Sequence, residues 1–406
     1  MTLASFCEDG RNDLVSFIES LVGLESPTTD KAAVDRCGLG IAGRLDELGA
    51  TVERLPRAAV GDLLRARFGE AGRRVLLLAH FDTVWPLGQV SRMPIERRDG
   101  RLHGPGVYDM KAGIGIALQA LDALRACHEM RGLAVTFLLT TDEETGSEWS
   151  RDVIESEARG SDAVLVLEPS LPGGSVKTSR KACGDYRLRV TGVPAHAGVD
   201  PDAGVSAIGE LARQILALEA IRGLVPGVTC NVGVVTGGTR SNVVAEHAEA
   251  EVDVRAADRS GMALVDKAMR ALAPVARGAR LEVSGGFSRP PLERSPGVIH
   301  LYGLARRAAA LHGWELGEGG TGGGSDGNFT AALGVPTLDG IGAEGDGAHA
   351  LHEHVHIDRL SRRAAWLARL LVEIRDDGNL PGGAAGWSRI GERPHDKALP
   401  GRTRRS

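Results

Sequence analysis

Three apolar runs constrain this chain more than anything else in it: RVLLLA at residues 74–79, LAVTFLL at 133–139 and AVLVLE at 163–168. None alternates polar with apolar residues, so each expects neighbours on both faces, as buried strands of a helix-covered sheet have. Between the first two lies KAGIGIALQALDALRA, starting at Lys111, with the spacing of a helix. A second helix is expected over residues 149–158, before the third run. This β–α–β–α–β order implies a sheet with helices on both faces. Upstream, residues 9–24 and 31–49 have helical periodicity, and TVERL and LLRARF read as short strands.

The pattern changes after the breaker LPGGS at 171–175. Residues 176–288 read as strand, helix, two strands, helix and strand, and alternation such as HAEAEVDVR indicates an antiparallel sheet with one solvated or partner-covered face. Beyond Pro290 and Pro291 the helix–loop–strand pattern resumes. The expected fold class is α/β in two domains. A catalytic domain with a mixed sheet flanked by helices spans 1–175 and 291–375, and an α+β domain with an antiparallel sheet is inserted at 176–290. The Gly/Pro-rich stretch 376–406 is expected to be a disordered tail.

Composition narrows the function classes. Net charge is −5 over 406 residues, so no basic surface for nucleic acid stands out. No apolar run reaches the roughly 18 residues of a membrane span. The start, MTLASFCEDGRNDL, lacks the basic and apolar regions of a signal peptide, and five cysteines without CxxC spacing suit a reducing compartment. A cytoplasmic location is expected.

The chemistry gathers where the strands end, which is where ligands bind in open α/β sheets. The first run leads into His80 and Asp82, the second into Asp142, Glu143 and Glu144, and the third ends in Glu168. Asp109 precedes the Lys111 helix, and GAHALHEHVHID supplies further imidazoles. Adjacent carboxylates repel, and burying one unpaired costs several kcal/mol. A solvated acidic turn before a helix is one reading; a cation that holds the carboxylates together is the other. Imidazole with carboxylate and no thiolate suits zinc or a similar divalent ion. The carboxylates exceed the needs of one tetrahedral ion, whereas two ions ~3.5–4 Å apart would use them and leave one free to move protons.

Seven motifs, HFDTV, GPGVYDMKAG, TTDEETGS, VLEPS, GVPAHAG, GGGSD and GAHALHE, resemble in order and spacing those of the M20 metallopeptidases, most of all their glutamate carboxypeptidase branch. The resemblance covers residues 10–375. It implies a zinc-peptidase-like catalytic domain with two Zn2+ per subunit, Co2+ or Mn2+ being alternatives. His80 and Glu168 would bind one ion, His349 and Glu144 the other, and Asp109 would bridge both, followed by a cis peptide. Glu143 would be the general base and Asp82 would orient His80. His196 of the inserted domain would reach across a homodimer to stabilise the oxyanion. Asn242 and Arg255 would grip substrate, and backbone N–H groups of Gly323, Gly324 and Ser325 would hold a C-terminal carboxylate.

Plainer roles compete at several positions. Asp109 alone reads as a helix cap. Asp326 reads as a cap or loop scaffold at least as readily as a substrate contact. Asp142 reads as a structural acceptor, and His352, His354 and His356 rival His349. Lys177, Arg180 and Lys181 fit a solvated strand face or a substrate contact. The implied substrate is a small N-acyl amino acid or short peptide with a C-terminal glutamate or similar residue, cleaved at the amide. Alternatives are another M20 amide chemistry (dipeptidase, N-acyl-amino-acid deacylase, carbamoylase or arylamine deaminase), a non-enzymatic metal binder of the same fold, and an interaction protein assembled through the inserted domain.

Overall fold

The computed structural model describes residues 1–223 and 225–380. Its principal sheet has six strands in the spatial order Thr51–Leu55, Leu63–Phe68, Leu133–Thr140, Arg73–His80, Ala163–Val166 and Thr337–Leu338. The first two pairings are antiparallel and the last three parallel, so the sheet is mixed. The central strand is buried on both faces, as its unbroken apolar run requires. Val75, Leu77 and Ala79 pack among the helices Arg11–Gly23, Ala112–Ala126 and Ile357–Asp376. Leu76 and Leu78 face the opposite layer, with Ile154 and Phe329.

Register carries the chemistry to one edge. His80 pairs with Thr140 and Leu78 with Val166, so three parallel strands stop within two residues of one another. A second device is local and was not apparent from hydrophobic pattern. Arg101–His103 pairs antiparallel with His354–His356, flanked by Glu96–Arg98 and Gly345–Asp346. These short polar strands bring the histidine-rich segment beside the loop that carries Asp109.

The antiparallel sheet has the order Thr229–Gly237, His247–Ala256, Ala182–Thr191 and Arg280–Arg289. Tyr186, Leu188, Val190, Val252 and Val254 point to one face and pack with the helices Ala207–Arg222 and Arg259–Arg270. The other face carries Arg187, Arg189, Glu249 and Glu251, joined in cross-strand ion pairs. The strand Val176–Arg180 is not part of this sheet. It pairs in parallel with Glu318–Thr321, and Lys177 bonds the backbone of Asp339. Residues 176–181, assigned from sequence to the inserted domain, therefore pair with segments of the last third of the chain, because two glycine-rich segments of low apolar content complete their hydrogen bonds there.

No helix among the described residues is long and apolar enough to cross a membrane. Of the stretch read as a disordered tail, residues 376–380 are packed: Leu380 is buried and Arg73 donates to the Asp377 carbonyl at 2.6 Å. The remainder, 381–406, lies outside the described residues. Leu77→Ala in the central strand should cost about 2–5 kcal/mol through lost burial and a residual cavity, read as a lower urea midpoint with an unchanged slope.

Candidate active site

Asp109 lies at the middle of the site, in a loop held from beneath. Glu353 accepts hydrogen bonds from the backbone N–H groups of Gly106, Tyr108 and Asp109 and from the Trp85 indole, at 2.9–3.1 Å. The Asp109–Met110 peptide is cis. The two oxygens of Asp109 then face two different imidazoles. Oδ1 lies 3.2 Å from His80 Nε2 and Oδ2 lies 3.4 Å from His349 Nε2. Glu168 is 3.5 Å from His80, and Glu144 is 3.3 Å from His349. Ligand atoms of His80, Asp109 and Glu144, and of His80, Glu143 and Glu168, lie within 4.8 Å of one another.

Asp82 ties this cluster to the strand ends. It is fully buried, accepts from Thr28 at 2.7 Å, and receives the backbone N–H groups of Glu143 and Glu144 at 3.4 and 3.3 Å. Its carbonyl also meets His80 Nδ1 at 3.1 Å, which leaves Nε2 turned to the cluster. Asp142 is spent on structure, accepting from Trp149 N–H at 2.7 Å.

The electrostatics show a site short of positive charge. Burial disfavours ionised Asp109, yet hydrogen bonds from His349 and His80 hold its pKa far below the carboxylate range. The carboxylates Asp109 and Glu144 push His349 up to about 10. Burial works against protonation of His80, but Asp109, Asp82 and Glu168 overcome it and raise its pKa. Burial lifts Glu143, against the opposing charge of Arg289. Glu144 Oε1 is buried and has no hydrogen-bond partner. Two imidazoles, four neighbouring carboxylates and an orphaned carboxylate oxygen are a donor set that fits hard or borderline divalent cations.

A model of peptidase family M20/M25/M40 matches residues 76–373. The chain belongs to this peptidase family. It is 31% identical over 379 residues to carboxypeptidase G2 of Pseudomonas sp. (strain RS-16), covering 90% of each chain. It is 27% identical over 380 residues to succinyl-diaminopimelate desuccinylase of Delftia acidovorans, covering 88% of this chain and 97% of that one. Among solved structures, a tripeptidase of Staphylococcus aureus superposes with a TM-score of 0.75 at 21% identity, over 90% of this chain and 99% of the other. Peptidases of this family are dinuclear metal enzymes, and the present member is a metallo-hydrolase.

Above this cluster opens a cleft of about 1020 Å³ whose walls include the cations Lys177, Arg180, Arg255 and Arg289. Lys177 and Arg180 are buried, so the solvated strand-face reading fails for them. Arg180 pairs with Asp339 at 2.8 Å and Glu168 at 2.9 Å, while Lys177 Nζ stays 4.0 Å from Glu168. Arg289 and Glu353 were not recognisable as site residues. Each acts from a segment whose position depends on tertiary pairing, although Glu353 closes the GAHALHE motif.

Gly323 and Gly324 line the cleft, but Ser325 does not. Its N–H donates to Asn328 and its hydroxyl to Asp339, so neither is free for a substrate carboxylate. Arg255 lines the cleft and is engaged by Asp253 at 2.5 Å. His196 and Asn242 lie beside each other, joined through the bond from Ala197 N–H to the Asn242 carbonyl, and neither lines this chain's cleft. His196 Nδ1 accepts from Gly198 N–H at 3.2 Å, which puts a proton on Nε2.

If the cluster holds divalent ions, Zn2+ added to chelator-treated protein should raise the melting temperature with ion concentration, since an ion that binds only the folded state stabilises it. An unchanged melting curve would remove these residues from metal binding.

Proposed function

We propose that this hydrolase cleaves the amide joining an acyl or peptidyl group to a C-terminal amino acid with a free carboxylate, glutamate-like residues being preferred. The observation that carries the reading is the juxtaposition of Glu143, buried beside the metal-type cluster, with a cleft walled by cationic side chains. The likeness to carboxypeptidase G2 supports the same bond type.

His80, Glu168 and Asp109 would hold one zinc ion, and His349, Glu144 and Asp109 the other, with Co2+ or Mn2+ as substitutes. Bound there, the ions would acidify a water and polarise the scissile carbonyl. Glu143 takes the proton from the attacking water and passes it to the leaving amine. Asp82 keeps Nε2 of His80 turned inward through its contact with Nδ1. Gly324 offers a backbone N–H group, Gly323 one that it shares with the Thr321 hydroxyl at 3.4 Å, and Arg255 a planar fork, to the substrate's carboxylate. Lys177, buried and without a close ion partner, suits an acidic side chain.

His196 and Asn242 serve the partner subunit's cleft in a homodimer formed through the inserted unit of residues 176–290. Their absence from the lining of their own cleft supports this, as does the sheet-edge strand Thr229–Gly237, where Val234 and Val235 are exposed. With Nε2–H as donor, His196 is in the correct tautomer to meet an oxyanion. Free cysteines at all five positions suit the cytoplasm.

A second reading follows from the desuccinylase likeness: the cations would then hold a succinyl carboxylate on the acyl side. Release of glutamate from N-acylglutamates, set against release of succinate from N-succinyl amino acids, separates the two. Glu143→Ala should keep its metals and lose at least about two decades of kcat; near-normal turnover would refute the base assignment. Lys177→Met should raise KM for glutamyl substrates and leave alanyl ones unchanged, a uniform loss counting against a side-chain contact. Mixed Glu143→Ala and His196→Ala chains should regain about a quarter of wild-type activity, since random pairing completes one site in four. No recovery would place His196 in its own subunit's site.

A further inference from the structure

Asp326 closes the GGGSD segment and precedes the short helix Gly327–Ala332, yet its side chain makes no capping bond there. Its carboxylate is buried and engaged elsewhere. Oδ2 accepts from Thr140 at the end of its strand, at 3.0 Å. Oδ1 accepts from the Ser147 hydroxyl and from Arg289 Nη1, the latter at 2.9 Å. The other terminal nitrogen of Arg289 turns to Glu143. Nη2 donates to the Glu143 main-chain oxygen at 3.0 Å and lies 3.0 Å from its Oε1. It also donates to Ser147 at 2.8 Å, and the guanidinium lies over the Phe329 ring at 4.9 Å. One planar fork thus grips both the backbone and the carboxylate of Glu143, and Asp326 anchors the fork from behind.

We propose that Asp326 is a positioning residue for the general base, acting through Arg289 to fix Glu143 at the floor of the cleft. The inference rests on the reading of Glu143 as the base. Its physical content is charge sharing. Arg289 is 5% exposed, so it must be compensated by neighbouring carboxylates. With Asp326 present the charge is divided between two acids, and Glu143 keeps one oxygen free of the pair. Without it the guanidinium turns wholly onto Glu143 and draws that carboxylate out of reach of the water. A misplacement on the order of 1 Å is enough to cost about 100-fold in rate. Arg289 is also the last residue of the strand Arg280–Arg289, so the same link joins the base to the antiparallel sheet.

Steady-state kinetics on an N-acylglutamate test this in wild type, Asp326→Asn and Thr140→Val, with metal content and glutamate product inhibition measured alongside. Asp326→Asn should lower kcat about 10- to 100-fold. KM and the inhibition constant should stay within about threefold, with metal content unchanged. Thr140→Val removes the bond on the side of Asp326 away from Arg289 and should leave kcat near wild type. Equal losses in both variants, or a rise in KM matching the fall in kcat, would reduce Asp326 to scaffold and overturn the proposal. So would an Asp326→Asn enzyme with normal kcat. If Asp326→Asn does not fold, Ser147→Ala, which removes one bond each from Asp326 and Arg289, should lower kcat alone; an unchanged kcat there overturns the proposal. A metal-loaded wild type that hydrolyses no N-acyl amino acid overturns the proposed substrate reading on which this inference rests, whereas a normal wild type beside a normal Asp326→Asn overturns only this inference.

Discussion

Asp109 is the group on which the arrangement depends. Its carboxylate faces a different imidazole with each oxygen, and its loop is fixed by backbone hydrogen bonds from Gly106, Tyr108 and Asp109 to Glu353. Glu144 and Glu168 stand against those same imidazoles, and Glu143 lies beside them. Two like charges ~4 Å apart cost about 4 kcal/mol even at an effective dielectric constant of 20. Several such repulsions would disperse the cluster if positive charge were not supplied. Protons on His80 and His349 meet part of that demand, which is why both imidazoles are driven toward the charged form. Divalent cations would meet it more completely, and the orphaned oxygen of Glu144 is a free donor suited to one of them.

That demand accounts for the use made of the sheet. Parallel strands ending at His80, Thr140 and, two residues short in register, Val166 present their loops on one edge. The small sheet through Arg101–His103 and His354–His356 adds what the parallel sheet does not, a histidine from the last third of the chain. Arg363 stiffens the same region: fully buried, it donates to the carbonyls of Gly174, Gly340, Ile341 and Gly342. Segments without helix or strand of their own are thereby held rigidly enough to carry chemistry.

The legible parts were those governed by local pattern. Unbroken apolar runs announced the buried strands, and the ionisable residues at their ends, His80, Asp82, Glu143, Glu144 and Glu168, are where the structure gathers them. Motif register selected His349 from four histidines, and the structure places it, not His354, against Asp109. Lys177, Arg180 and Arg289 were opaque for a physical reason. A polar strand reads as solvated unless its cover is known, and their cover is Glu318–Thr321, Asp339 and Asp326, more than 100 residues away for the first two. Ser325 illustrates the opposite error. A glycine-rich run suggested free N–H groups, but Asn328, three residues on, takes the one that Ser325 offers.

The buried arginines also balance a site that is otherwise strongly acidic. Asp109, Glu143, Glu144 and Glu168 would repel a carboxylate, and metal ions offset only the charge they touch. Arg180 answers Glu168 and Asp339, and Arg289 answers Glu143 and Asp326. Each guanidinium is therefore neutralised locally and leaves the cleft wall close to balanced. Lys177 is a cation with capacity to spare, since it lacks a close partner, whereas Arg255 is held by Asp253. Burial lowers the pKa of Lys177, and a carboxylate placed beside it would favour its charged form. Under the proposed function, a preference for an acidic residue would follow from which cation the protein leaves uncompensated, rather than from how many it contains.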